Sequence, residues 1–438
     1  MSPIEIGWLA VGGLVLLILV GMPIGIAMLL TSFAAVTFLR TDMVAMRMLG
    51  QVANDSLEEY LYAVVPLFVL MGLLVTTSGV GRDTFDVFQR LLRKVTAGLG
   101  IATVFANAVF ASITGISIAS ATVFSRVAVP EMSRHGYTRK FATGVVAGSS
   151  VLGMLLPPSL LFIVYAVQAE ESVGRMFLSG IGPGILLTII FTITILILAK
   201  TRPDFVFSNN AAPIEEADDT SLFGIVKMAT PIVVLIGVVL GGLYAGLFNP
   251  TEAGAAGAFG ALVIAIMRRS LNGPKFWRLL VETGQITVSV LFLILAATFF
   301  SRMLAMSGMP QSLAQILLNG PFGPWGFLIA YIAVVIILGF LIDSVSIMLI
   351  MLPIALPVAI AADFDLVWFG VITVIAVEIG LLTPPFGLSV YTIKSALDLP
   401  DLRVGEIFLG AFPFVVAMAL TIGIIIVFPG IATWLPRL

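Results

Sequence analysis

Residues Gly153-Met154-Leu155-Leu156-Pro157-Pro158-Ser159 lie inside an apolar run from about 141 to 167 that is long enough to cross a bilayer. Two consecutive prolines remove two amide donors and push the preceding residue out of the α region, so a helix entering this stretch has to break. In hydrocarbon the carbonyls released by the break need protein, water or an ion as partners. A lone Pro-Pro also reads as a plain kink. Here the motif has a twin: Gly380-Leu381-Leu382-Thr383-Pro384-Pro385-Phe386 repeats the Gly, one Leu and both prolines 227 residues further on, again inside an apolar span. At the same offset Pro130 falls on Pro357, Phe141 on Trp368 and Pro23 on Pro250, while Ser78-Gly79-Val80 resembles Ser307-Gly308-Met309 with a slip of two. The chain therefore reads as two repeats, each with a broken span at the same place, which is the sequence pointer to a transporter's binding site.

Composition sets the surroundings. With 60% hydrophobic and 11% charged residues, this is a polytopic α-helical membrane protein with lipid around it, and no nucleic-acid partner is expected. Cysteine is absent and the single histidine, His135, sits in a charged loop, which leaves no thiolate or zinc chemistry. An intramembrane enzyme would need a Ser-His pair, metal ligands or two aspartates at depth; Asp343 has no Asp partner there, so no enzyme and no cofactor is expected. The first apolar run follows Glu5 rather than a basic segment and reads as a retained helix, not a signal peptide.

Two runs, 98–131 and 325–360, are too long for one span and are interrupted near the middle, at Thr114-Gly115-Ile116-Ser117 and at Asp343-Ser344. The first is flanked on both sides by cations, among them Arg82, Arg90, Arg93 and Lys94 before it and Arg126, Arg134, Arg139 and Lys140 at its end. Both ends belong in the cytoplasm, so the run is a re-entrant hairpin. The second has no Lys or Arg in its flanks, which carry Asp363 and Asp365, so its ends belong outside. Charge thus inverts one repeat against the other. The expected fold is an all-α polytopic membrane protein of two inverted-topology repeats. Residues 1–199 form the first (hairpin 98–131, broken helix 141–168), 200–229 a cytoplasmic linker, and 230–438 the second (hairpin 325–360, broken helix 366–393). Ten crossings and two hairpins put both termini outside and 17 of the 22 Lys and Arg inside.

Unwound helices facing hairpin tips offer carbonyls, hydroxyls and few charges, a donor set for a hard monovalent cation, sodium best, or for a polar solute. On the first side the candidate sodium ligands are Gly115, Ser117, Gly153 and Pro157, the Gly and Pro acting through their carbonyls. Ser149, Ser150 and Ser159 are candidates for the solute, although Ser149 and Ser150 equally read as bonding back to their own helix. Gly115 also reads as a close-packing residue. On the second side Asp343, Ser344, Gly380, Thr383 and Pro384 are the counterparts, with Asp343 foremost because a carboxylate at a hairpin tip needs a cation, a donor or water. Glu378 is a solute candidate or a cap for a neighbouring arm.

Together these residues resemble a known family. Pro66-Leu67-Phe68-Val69-Leu70-Met71-Gly72, Ala111 to Ser117, Gly136-Tyr137 with Ser149 to Ser159, and Phe369-Gly370 with Gly380 to Gly387 look like the large membrane subunit of tripartite ATP-independent periplasmic (TRAP) transporters, the DctM-like family. The resemblance implies a sodium-driven symporter of the bacterial inner membrane that imports a small organic acid, such as a C4-dicarboxylate or another carboxylate or sulfonate, by an elevator motion. It also implies two partners, a periplasmic solute-binding protein and a small membrane subunit that is here a separate chain. Sodium sites in the family lie around both tips and both Pro-Pro breaks. Ile116 and Ala376 depart from the pattern, standing where a small or polar residue and an Asn are usual. The alternative is a stand-alone sodium-coupled anion symporter of a related inverted-repeat fold, whose tips typically read Ser-Asn-Thr, a tripeptide this chain lacks.

Overall fold

The computed structural model describes residues 1–208 and 222–437. They are almost entirely helical, and the one pairing of extended backbone among the described residues is an isolated bridge between Tyr137 and Phe207. Helices satisfy their own backbone, which an apolar chain needs where water is absent. Seven of these helices are long and apolar enough to cross a bilayer alone, and up to nine spans result when each sharply bent pair counts as one. The sequence suggested ten crossings. The two counts are of different things: the helices counted here include arms of the second hairpin, Gly323–Gly339 and Ser344–Ala361, and leave out apolar helices shorter than a full span, such as Pro3–Leu19, Ile24–Leu39 and Leu366–Leu381.

The internal register reappears as matched elements. The hairpins have first arms Gly98–Thr114 and Gly323–Gly339, 17 residues each, and return arms Ser117–Arg134 and Ser344–Ala361, 18 residues each. Across the first hairpin Phe110 and Phe124 meet edge to face at 5.6 Å, and at the open end of the second Trp325 meets Phe364 at 5.9 Å, so both runs fold back on themselves. The broken helices end in halves of 10 residues, Leu160–Ala169 and Leu388–Leu397. Both halves are closed by a left-handed residue, Glu170 (φ 53) and Asp398 (φ 46), and both Pro-Pro bonds are cis. Gly79 (φ 78) and Gly308 (φ 68) make the same turn, each opening a short helix, Val80–Leu91 and Met309–Leu318, that leads into a hairpin.

Packing between the repeats is reciprocal. Each hairpin lies on the first half of its own broken helix, Arg139–Ser150 or Leu366–Leu381, and its return arm lies on the second half of the other repeat's. Ser117–Arg134 packs on Leu388–Leu397, where Arg126 Nε donates to the Ala396 carbonyl at 3.3 Å, and Ser344–Ala361 packs on Leu160–Ala169. Tyr165 OH donates to the Leu366 carbonyl at 2.6 Å, a second link between the repeats. Beside this body stand Ile24–Leu39, Val64–Thr77, Pro250–Met267 and the 35-residue helix Gly273–Ser307, which pack on one another. Three ion pairs join distant parts of the chain among the described residues: Arg268 with Asp83, Arg302 with Asp55 and Arg437 with Asp365. Each connects two residues that the charge argument puts on the same side.

Two segments lie outside the apolar runs. Residues 42–58 form the helix Asp42–Glu58, because Thr41 caps it by accepting from Val44 N at 3.3 Å and Met, Leu, Ala and Gln favour a helix even where charges interrupt the apolar pattern. The expected linker 200–229 is helical from Leu222 onward; its acidic part, with Pro213, Glu215, Glu216, Asp218 and Asp219, lies outside the described residues.

Candidate functional site

Gly115 ends the first arm in the left-handed region (φ 62), its amide bonded back to the Ala111 carbonyl. A side chain here would be strained and would collide with the Pro158 carbonyl oxygen. Ile116 is extended and the return arm begins at Ser117. The tip sits on the broken stretch: Leu160 N donates to the Gly115 carbonyl at 3.3 Å, and a Cβ on Gly153 would lie 3.1 Å from Ser117 N. Gly115, Ser117, Gly153 and the Pro157-Pro158 break therefore share one place. Ser159 starts the next half-helix by accepting from Phe162 N at 3.3 Å, and its hydroxyl donates to the Met154 carbonyl, one of those the prolines release. Residues 151–160 are all buried.

Ser149 and Ser150 lie beneath this tip and bond back to their own helix, Ser149 to the Val145 carbonyl at 2.6 Å and Ser150 to the Ala147 carbonyl at 2.8 Å. Ser149 also accepts from the Asn107 side-chain amide at 2.6 Å. Sequence reasoning missed Asn107, which is fully buried, although it is the one amide side chain in the first arm and that could have marked it.

The second side is built differently. Asp343 caps the return arm, accepting from Ser346 N at 3.1 Å and from the Ser346 hydroxyl at 2.5 Å, and it is exposed, whereas Ser344 is buried. The close approach occurs at Gly339 and Gly380, where a Cβ on Gly339 would lie 2.5 Å from the Gly380 Cα. Thr383 turns back at the break, its amide donating to the Gly380 carbonyl at 3.0 Å and its hydroxyl to the Ile379 carbonyl at 2.7 Å. Pro384, Pro385 and Phe386 are exposed, in contrast to their buried counterparts. The two motifs match in sequence but not in surroundings.

Glu378 lies between the two sides. It is fully buried on Leu366–Leu381, neither carboxylate oxygen has a hydrogen-bond partner, and the side chain facing it is that of Ser117, from the other repeat's tip. The donors gathered at the first tip and break are hydroxyls and carbonyls, a set that suits a hard monovalent cation, whereas Asp343 stands exposed on its own cap.

With this geometry in place, comparison with known proteins is specific. A family model described as "Tripartite ATP-independent periplasmic transporter, DctM component" matches residues 11–431. The C4-dicarboxylate TRAP transporter large permease protein DctM of Pseudomonas aeruginosa is 32% identical over 409 residues, 92% of each chain. The sialic acid TRAP transporter large permease protein SiaM of Vibrio cholerae is 28% identical, over 99% of this chain and 97% of that one. Among solved structures, the Alcanivorax borkumensis YdaH transporter aligns with a TM-score of 0.64 over 90% of both chains at 12% identity, a likeness of fold alone. Paired tips, paired breaks and a match that runs nearly end to end give one conclusion: the chain belongs to the DctM family, the large permease component of TRAP transporters.

Proposed function

We propose that this chain is the permease of a sodium-coupled importer of a small organic acid, a C4-dicarboxylate or another carboxylate or sulfonate. A periplasmic solute-binding protein delivers the solute, and a small membrane subunit completes the carrier. Sodium is the coupling ion; Gly115, Ser117, Gly153 and Pro157 hold it on the first side and Asp343, Ser344, Gly380, Thr383 and Pro384 on the second. The solute lies between the tips, near Ser149, Ser150, Ser159 and Glu378. The two-repeat body moves as an elevator against the helices that contain Gly273–Ser307, in a bacterial inner membrane with both termini periplasmic.

The observation that carries this reading is the seating of the Gly115 tip on the Pro157-Pro158 break, within a chain whose family match covers residues 11–431. A tip resting on an unwound helix can present several oxygens to one ion while excluding lipid, and release of the tip opens the site. The C4-dicarboxylate relative motivates the solute class.

The test is uptake into proteoliposomes containing this chain with and without the small subunit and the solute-loaded binding protein. Sodium-dependent accumulation only when all three are present is the expected result. Accumulation by this chain alone would contradict the partner requirement and favour a stand-alone symporter.

A further inference from the structure

A fully buried carboxylate with no partner is the least satisfied group described in this molecule. Neither oxygen of Glu378 is hydrogen-bonded, and among the described residues no charged side chain stands close enough to act on it. The nearest elements offer nothing positive: Tyr331 is bonded to Thr373, Tyr165 to the Leu366 carbonyl, and Lys394 to the Leu399 carbonyl. An ionised carboxylate is not held in such surroundings without a counter-charge.

The group facing Glu378 is Ser117, the first residue of the return arm from the other repeat. Ser120, one turn along the same face, and Ser389, on the half-helix packed against that arm, are also buried with hydroxyls that have no partner. Unsatisfied oxygens thus lie on both elements of one seam. Asp343 has the opposite character, exposed and with both oxygens engaged by Ser346.

We propose that Glu378 and Ser117 are ligands of a monovalent-cation site that joins the first hairpin tip to the helix of the second repeat. One carboxylate balances one positive charge, so a monovalent ion leaves the core neutral where a divalent ion would not. The site shares Ser117 with the first tip-and-break position and adds to it a charged ligand from the opposite repeat. It rests on the sodium reading above, and sodium is the ion to try first. An ion held here bonds the two repeats to each other, so binding stabilises the packed arrangement by mass action.

The experiment uses the full chain purified in detergent and follows the melting temperature while choline chloride is exchanged for sodium chloride at constant ionic strength. The wild type is expected to melt higher as sodium rises. In Glu378→Gln the sodium concentration giving half the shift should increase about tenfold or more, since a charged ligand is lost. In Ser117→Ala it should increase about two- to tenfold. Glu378→Asp, which keeps the charge, should recover part of the response and serves as the decisive variant if Glu378→Gln does not fold. With Ser117→Ala alone weakened, the ion sits at the first tip without Glu378; a sodium response in Glu378→Gln equal to that of the wild type overturns this site while leaving sodium coupling intact. Such a result combined with a wild-type melting temperature that follows pH would mean that a proton, not a metal ion, neutralises Glu378. No sodium response in the wild type removes the sodium reading itself, and this site with it.

Discussion

The amide of Leu160 donates to the carbonyl of Gly115 across 3.3 Å, so the residue that turns the first hairpin is bonded to the residue that restarts the first broken helix. Two irregular backbones, each costly alone in an apolar interior, satisfy each other. The arrangement depends on glycine, because Gly115 has φ 62 and a Cβ there would meet the Pro158 carbonyl.

Gly115→Ala should therefore lower stability by about 1–3 kcal/mol from backbone strain alone and lift the tip off the break. The expected outcome is a lower melting temperature together with loss of uptake. A variant that melts and transports like the wild type would show that the tip is not held by this turn.

Asp343 separates capping from ion binding. Asn caps a helix as well as Asp, whereas Ala costs about 1 kcal/mol. Asp343→Asn should leave the melting temperature in choline unchanged while raising the sodium concentration for half-maximal uptake about tenfold or more, because the direct attraction at ~3–4 Å and an effective dielectric of ~20 is on the order of 4 kcal/mol before desolvation. Asp343→Ala should also destabilise the protein. An unchanged sodium response in Asp343→Asn would leave Asp343 as a cap only.

How much of this was legible in the sequence depends on the range of the interaction. The doubled Pro-Pro, the 227-residue register and the flanking charges correspond to hairpin arms of 17 and 18 residues in both repeats, because those signals are local to each element. Helix Asp42–Glu58 was not legible, since its charged face hides it from an apolar pattern. Nor was the exchange that puts Leu388–Leu397 on Ser117–Arg134, or the meeting of Glu378 with Ser117, since sequence spacing carries no record of which repeat a return arm packs on. Matching Pro-Pro motifs also concealed unequal surroundings, the first break buried and the prolines of the second exposed.

Stability should respond to pH through Asp86, which lies half-buried beside the hairpin's return arm. Burial pushes its carboxyl above the ordinary value, more than Arg82 pulls it down. A folded value above the unfolded one means that the protonated form favours folding, so this contribution is complete below the ordinary Asp value and is lost as pH rises through the raised one. Asp86→Asn should remove that part of the pH dependence and melt slightly higher at neutral pH. Melting curves across acidic to neutral pH that are identical for both proteins would contradict the assignment.

Because the chain has no cysteine, single cysteines report its topology directly. Ser2→Cys should react with a membrane-impermeant maleimide added outside, while Arg269→Cys, also exposed, should react only after the cytoplasmic side is opened. The reverse labelling would invert the topology read from charge.

The most direct test of the central claim is solute accumulation in proteoliposomes containing this chain, the small subunit and the loaded binding protein, with membrane potential clamped and an inward sodium gradient imposed or replaced by choline. Accumulation above the external concentration under the sodium gradient, and none under choline, is the result expected of a sodium-coupled carrier. Equal accumulation under both conditions would contradict sodium coupling at the tips and breaks.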